Sequence, residues 1–324
     1  MPQTTSIPTR SLGKTGIQVT PIGLGVMELS GGGGMLGRAF PVIPQEEKNA
    51  IIKAALDGGI NWFDTAEIYG GGVSETSLAA GLKDAGIHNG DVVIATKWFP
   101  FLRTARNIPR TIQDRLRFLG DYAIDLYMVH QPMSFSSAES EMNAMADLVE
   151  AGKIRSVGVS NFSPERMRRA HAALQKRGLA LAANQVQYSL IHRQIERDGT
   201  LETARELGVT ITAYTPLGSG LLTGKYHKNP ELLKSKSFIW RGRMARQLEA
   251  SRPLVAVLEE IAQKYQATAA QVALNWLIWF NGEMVVTIPG ATKAKQAAEA
   301  AAAMQFKLTP DELARLDEAS RSFR

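Results

Sequence analysis

The stretch Asn61-Trp62-Phe63-Asp64-Thr65-Ala66-Glu67-Ile68-Tyr69-Gly70 decides how this chain is read. Asn61 to Phe63 form a short apolar strand, so Asp64 stands where that strand leaves its sheet and Tyr69 lies on the connection to the next helix. Alone, the segment fits ordinary structure, since an Asp closing a strand can cap a turn and a Tyr beside glycines can anchor packing. Its meaning depends on what the other strands carry at their ends.

Toward the N-terminus, Thr9 to Leu12 and Ile17 to Pro21 flank Gly13-Lys14-Thr15-Gly16, the pattern of a hairpin, and Ile22 to Gly25 is a tight apolar strand. Gly32-x-Gly34-x-x-Gly37 matches a dinucleotide fingerprint formally. That fingerprint must open a helix, however, and here Pro41 and Pro44 intervene, so Ser30 to Gly37 reads as a loop. Ile51, Ile52, Ala55 and Leu56 then share a helical face that leads into the opening stretch.

Toward the C-terminus, helix and strand alternate. Ser74 is placed to cap a helix reaching about Asp84, and Val92 to Thr96 is an apolar strand halted by Lys97. Ile124 to Val129 stops at His130, Ile154 to Val159 at Ser160-Asn161, Leu181 to Val186 carries Gln185, and Thr210 to Ala213 stops at Tyr214. Asn107 to Leu119, a helix bearing Met142, Met145 and Leu148, a helix opened by Ser163-Pro164, and Thr200 to Leu207 separate these strands. The long connection from Pro216 to Arg246 breaks the rhythm and holds Gly218, Gly220, Gly224, Lys225, Arg241 and Arg243. Two helices follow, the second opened by a Thr268/Gln271 capping box. Met284 to Pro289 is the last strand, and helices over Lys293 to Met304 and after Thr309 complete the chain.

Counted from Ile22 there are eight strands, nearly all followed by helices and with no linker between them. A doubly wound sheet is the competing arrangement, but this number and even spacing favour closure. The expected fold is therefore α/β, a (β/α)8 TIM barrel with an N-terminal β-hairpin and extra C-terminal helices, forming one domain over 1–324.

Bulk properties narrow the functional class. With 324 residues, 44% hydrophobic and 21% charged, the chain is ordinary globular material. Absence of cysteine removes disulfides and thiolate chemistry, and the five histidines show no ligand spacing, so no metal is expected. The net charge of +6 is scattered among acids, which argues against nucleic acid and suits a polyanionic small ligand. No stretch is long and apolar enough for a membrane span and the first ten residues have no apolar core, so a cytoplasmic location is expected.

Barrel enzymes assemble their sites at the C-terminal strand ends. Asp64, Lys97, His130, Asn161, Gln185 and Tyr214 all fall at or just past such ends. Each has a structural explanation, but six together point to chemistry. A phenol is a poor proton donor or acceptor near neutrality unless a cation adjusts it, and Lys97, paired with Asp64, is that cation for Tyr69. His130 would hydrogen-bond a carbonyl oxygen beside the phenol. Such a site protonates an oxygen while a separate donor attacks carbon. A Schiff-base lyase using Lys97 would leave Asp64, Tyr69 and Asn161 unexplained.

Phe63-Asp64-Thr65-Ala66-x-x-Tyr69-Gly70, Ala95-Thr96-Lys97, the strand ending in His130, Gly158-Val159-Ser160-Asn161 and Ile288-Pro289-Gly290 resemble the aldo-keto reductase superfamily over roughly Leu12 to Leu316. The resemblance implies NADPH-dependent carbonyl reduction, with Asp64, Tyr69, Lys97 and His130 catalytic and the cofactor extended without a Rossmann fold. It implies that Ser160, Asn161 and Gln185 bind the nicotinamide carboxamide and that Tyr214 stacks on its ring. Val26 and Met27, with Pro216, Leu217, Ser219, Gly220, Leu221 and Lys225, would line the cofactor, the latter group closing over the pyrophosphate. Gly290, Lys293, Gln296, Glu299 and Arg243 would serve the adenosine end. Ala300 stands where the family commonly has the Asn that touches adenine, a departure that bears on cofactor binding.

Met27, Tyr69, Trp98, Phe99 and His130, with Trp240, would wall a pocket for a small carbonyl compound, an aldehyde of aromatic or pyridoxal type. The molecule is expected as a monomer or homo-oligomer. Potassium-channel β subunits share these features, so a nicotinamide-binding regulatory protein is the alternative the resemblance carries. The short polar N-terminus favours an enzyme.

Overall fold

The computed structural model describes residues 7–33, 41–235 and 238–324; the side chains of residues 234, 235, 238–241, 243 and 244 are not described. Gly34 and Gly37 of the glycine run, and the side chains of Trp240, Arg241 and Arg243, therefore lie outside the described residues.

Strands β1 (Arg10–Ser11) and β2 (Gln18–Val19) pair antiparallel as the expected hairpin. The main sheet then runs in sequence order through β3 (Leu24–Gly25), β4 (Trp62–Asp64), β5 (Val93–Trp98), β6 (Leu126–Val129), β7 (Ser156–Ser160), β8 (Leu181–Gln187), β9 (Thr210–Tyr214) and β10 (Val285–Thr287). All seven neighbouring pairs are parallel. Parallel bridges Ile22↔Thr287 and Gly25↔Gly290 join the first strand to the last, so the sheet closes into the (β/α)8 barrel.

The helices between strands are α1 (Gln45–Asp57), α2 (Val73–Asp84), α3 (Ile108–Leu119), α4 (Ala138–Glu150), α5 (Pro164–Gln175) and α6 (Thr200–Leu207). Their ends follow local chemistry. Ser137 and Ser163 accept from the backbone amides of Ser140 and Arg166, and Pro164 fills the first position of α5. Ser74 does not cap α2 as expected. Gly72 holds the cap position with φ 109°, and the Ser74 hydroxyl instead donates to the Val26 carbonyl at 2.7 Å, tying the helix to the end of β3.

After β9 the chain is more helical than its glycines suggested. A 3-10 segment (Gly218–Thr223), the single turn α7 (Lys225–Lys228) and a second 3-10 segment (Pro230–Ser235) lead into α8 (Phe238–Lys264). That helix begins far earlier than the apolar register from Leu254 implied, and it continues through Pro253. Helices α9 (Ala269–Trp279), α10 (Ala294–Ala302) and α11 (Pro310–Ala319) complete the outer layer. The expected capping boxes at Thr268/Gln271 and Thr309/Glu312 are both formed.

Two apolar clusters result. The larger lies between strands and helices. The smaller fills the barrel and gathers Trp62, Val93, Ala95, Leu126, Met128, Ala183 and Val286 together with Leu12, Ile17 and Val19 of the hairpin. The hairpin thus plugs the N-terminal end of the barrel. Arg10 fastens it by donating to the carbonyls of Val285 and Ile278, and Gly13 makes the close approach possible, since a β-carbon there would stand 2.7 Å from the Ala182 oxygen. With that end filled, polar side chains collect at the other.

Candidate active site

Strand β5 alternates its side chains between the two clusters, with Val93 and Ala95 inward and Ile94 outward. The same parity carries Lys97 inward at the mouth and Trp98 outward. Lys97 is fully buried, and its Nζ donates to Asp64 Oδ1 at 2.5 Å and to the Thr65 carbonyl at 2.8 Å. Asp64 Oδ2 accepts from Gln185 Nε2 at 2.8 Å. Burial pushes the Asp64 carboxyl up and the Lys97 ammonium down, and the attraction between them opposes both shifts.

Tyr69 sits where the chain leaves β4, its ring centroid 5.0 Å from Lys97 Nζ and 5.6 Å from the His130 ring, which it meets edge-on. Burial, followed by the negative charges of Asp64 and Glu28, raises the phenol well above its ordinary pKa. The sequence suggested that Lys97 would set the phenol's acidity. In the structure the ammonium bonds Asp64 and Thr65, lies against the Tyr69 ring, and leaves the phenol protonated. His130 is pushed down to about 3 by burial and by Lys97, so the imidazole is neutral, and its Nδ1 is buried without a hydrogen-bond partner among the described residues. Phe99 packs 6.0 Å from the His130 ring and Met27 is half-buried nearby in sequence to β3, both consistent with a pocket wall. Trp98, expected on the pocket wall, is fully buried in the outer cluster, on the opposite side of β5 from Lys97.

At the ends of β7, β8 and β9 a second group forms. Ser160 Oγ donates to the Gln185 carbonyl at 2.9 Å, Asn161 Nδ2 donates to Ser160 Oγ at 3.1 Å, and the Tyr214 hydroxyl donates to Asn161 Oδ1 at 3.1 Å. Asn161 adopts a left-handed backbone with φ 59°, which turns the chain as β7 ends. Gln185 belongs to this group by position but holds Asp64 by its amide.

The cofactor-lining residues implied by the resemblance divide similarly. Val26 is buried, and its amide and carbonyl are already bonded to the Asp64 carbonyl and the Ser74 hydroxyl. Leu221 is buried in the core, leaving only its backbone for the groove. Thr215, Gly218, Ser219, Gly220 and Gly224 all have positive φ, so the segment with Pro216 and Leu217 is a tightly wound turn, in which the amides of Gly218, Gly220 and Gly224 bond the carbonyls of Thr215, Leu217 and Leu221. Lys225 opens α7 and has no carboxylate partner among the described residues; its Nζ lies 4.8 Å from the Tyr226 ring. Gln296 serves as a helix cap, accepting from the Thr292 and Lys293 amides, while Lys293 is exposed and Glu299 lies 3.8 Å from Lys295.

Three acids of the region escaped sequence reasoning. Glu67, inside the opening stretch, accepts from the Phe99 amide at 3.0 Å and pairs with Arg103 at 2.6 Å, joining the Tyr69 loop to the Phe99 loop. Glu75 is fully buried, accepting from Thr96 Oγ1 at 2.7 Å and pairing with Arg115 at 2.9 Å. Its signal was present, because it falls in helical register with Leu78 and Leu82 on the buried face of α2. Glu28, just past β3, packs its carboxyl on Gly290 and carries no pattern that marks it.

A closed α/β barrel with a phenol, an ammonium and a neutral imidazole at the carboxyl ends of its strands defines an oxidoreductase class. The chain belongs to the aldo/keto reductase family, whose model matches residues 21–321. It is 36% identical over 320 residues to the aldo-keto reductase str7 of Strobilurus tenacellus, spanning 95% of this chain and 90% of that one. It is 30% identical over 318 residues to the chloroplastic pyridoxal reductase of Arabidopsis thaliana, spanning 94% and 84%. Among solved structures, an aldo-keto reductase from Klebsiella pneumoniae in complex with NADPH superposes with a TM-score of 0.73 at 26% identity, covering 95% of this chain and 94% of that one. No helix among the described residues is long and apolar enough to cross a membrane.

Proposed function

We propose that the protein reduces an aldehyde or ketone to the alcohol, with NADPH as the hydride donor. The observation that carries this reading is the protonated Tyr69 phenol held between the Lys97 ammonium and the neutral His130 ring. The nicotinamide, when bound, supplies the hydride. Ser160, Asn161 and Tyr214 form the polar set suited to its carboxamide: Asn161 offers both a donor and an acceptor, and only one hydrogen of its amide nitrogen is used by Ser160. The wound turn through Gly218 to Gly220, with Lys225, suits the pyrophosphate, and exposed Lys293 suits a 2′-phosphate.

Tyr69 gives its hydroxyl proton to the carbonyl oxygen. The phenolate that remains stands beside the Lys97 ammonium, which the Thr65 carbonyl and Asp64, itself held by Gln185, keep in place. His130, neutral across the working range, donates a hydrogen bond that orients the carbonyl without competing for the proton. Met27 and Phe99 supply an apolar wall, which suits an aromatic aldehyde or a pyridoxal-like compound. Purified protein should consume NADPH, followed at ~340 nm, when 4-nitrobenzaldehyde or pyridoxal is added. Absence of turnover across a broad carbonyl panel overturns the reading.

A further inference from the structure

The Glu28 carboxyl has no role in the chemistry above, yet it occupies a decisive position. It follows Val26 and Met27 and lies against Gly290, so it bridges two segments assigned to the cofactor groove. A β-carbon built on Gly290 would stand 2.2 Å from Glu28 Oε1 and 2.4 Å from Oε2, so the acid fills the space that any other side chain at 290 would take. Oε2 is buried and has no hydrogen-bond partner among the described residues, and no cation among them pairs with the group. Its charge is felt at Tyr69.

With Oε2 buried and unpartnered, a charge on this half-buried carboxyl is costly, and an anion laid beside it raises the cost. We propose that Glu28 makes nucleotide uptake proton-linked: its carboxyl on Gly290 must be neutral for the negatively charged nucleotide to occupy the groove, so one proton is taken up from solvent as the nucleotide binds. Glu28 is thereby a residue that sets how cofactor affinity depends on pH, and the proposal rests on the nicotinamide reading given above.

The supporting chemistry agrees. Burial pushes Glu28 up to about 7, with its own backbone amide opposing the shift, so the group changes charge within the working range. The titratable groups around it are arranged differently. Tyr69 is raised far above this window, His130 is lowered to about 3, and Asp64 and Lys97 are locked to each other. On the Gly290 side the nearest charged residue in sequence is Lys293, whose side chain is exposed.

The test is nucleotide binding by calorimetry and by fluorescence quenching, with no turnover involved. The wild-type chain should lose affinity for NADPH and for NADH above pH ~7, approaching about tenfold per pH unit for a single linked proton. At pH ~8, calorimetry in buffers of different ionisation enthalpy should show net proton uptake approaching one per NADH bound. NADH controls for the 2′-phosphate, which titrates near pH ~6. Glu28→Gln should bind more tightly at pH ~8, with little pH dependence and no uptake. A pH-independent wild type, proton release instead of uptake, or Glu28→Gln keeping the wild-type slope overturns the proposal while the cofactor reading stands. If neither nucleotide binds at any pH, the cofactor reading itself fails. Wild-type uptake alone decides the matter should the variant not fold.

Discussion

Two buried ion pairs sit on opposite faces of β5, one residue apart in the strand. Lys97 points into the barrel and meets Asp64, while Thr96 points out and meets Glu75, which Arg115 neutralises. Both pairs are almost wholly withdrawn from water, with side-chain exposures of 0% and 2% for the inner and 4% and 0% for the outer. In both, burial shifts the carboxyl upward, Glu75 to about 7. Electrostatic perturbation alone therefore does not distinguish an active site from a structural one. The difference is what lies beyond each pair. The inner one opens on Tyr69, His130 and the mouth; the outer one is enclosed by α2 and α3 and joins them to the sheet.

Breaking the inner cluster should have the largest effect. Tyr69→Phe removes only the hydroxyl proposed as proton donor, so kcat should fall by about 10²–10⁴-fold while nucleotide affinity stays within a few-fold of wild type. Stopped-flow reduction alongside fluorescence titration separates the two. Full activity in that variant would erase the distinction between the faces.

The outer pair should respond in the opposite sense. Glu75→Ala leaves the Arg115 guanidinium buried without its carboxylate and should cost about 3–5 kcal/mol in urea unfolding, with kcat in the folded fraction nearly unchanged. A large loss of kcat with full stability would show that the outer pair acts on the chemistry after all.

A smaller effect should appear in the pH dependence of stability. Glu75 and Glu28 both have folded pKa values of about 7, above their ordinary 4.5. Their contribution is fully present below pH ~4.5 and is lost as pH rises through ~7, so the urea midpoint should fall between pH ~5 and ~8. Glu75→Gln should flatten that fall by the equivalent of about 1–3 kcal/mol. A midpoint that climbs across the same window would contradict these assignments. His130 is shifted the other way and weakens the fold only as pH drops from ~6.5 toward ~3.

The same two faces explain what the sequence revealed. Asp64, Lys97 and His130 were legible because each is a charged or polar residue that halts an apolar strand, and the strand count followed from that beat. Trp98 adjoins Lys97 in sequence, but strand alternation sends the two to opposite sides of the sheet. Gln185 was read only as a ligand group because its bond to Asp64 spans 121 positions, a pairing that local pattern does not encode. Ser74 was given a capping role on type alone; its hydroxyl is drawn to the Val26 carbonyl once closure brings β3 beside α2. Glu75 is a charge on the apolar face of α2, three residues before Leu78, where a solvated role is the ordinary one for its type.

Asn161 joins two demands in one residue. Its left-handed backbone ends β7, and its amide ties Tyr214 to Ser160. Glycine would accept the turn but abolish the amide, and Gln would keep the amide but resist the backbone. Sequence drift at this position is therefore confined by two independent filters at once, and a lineage that abandoned the amide would have to rebuild the turn or accept a bare one. The mouth of this barrel is, at that point, harder to re-engineer than its loops.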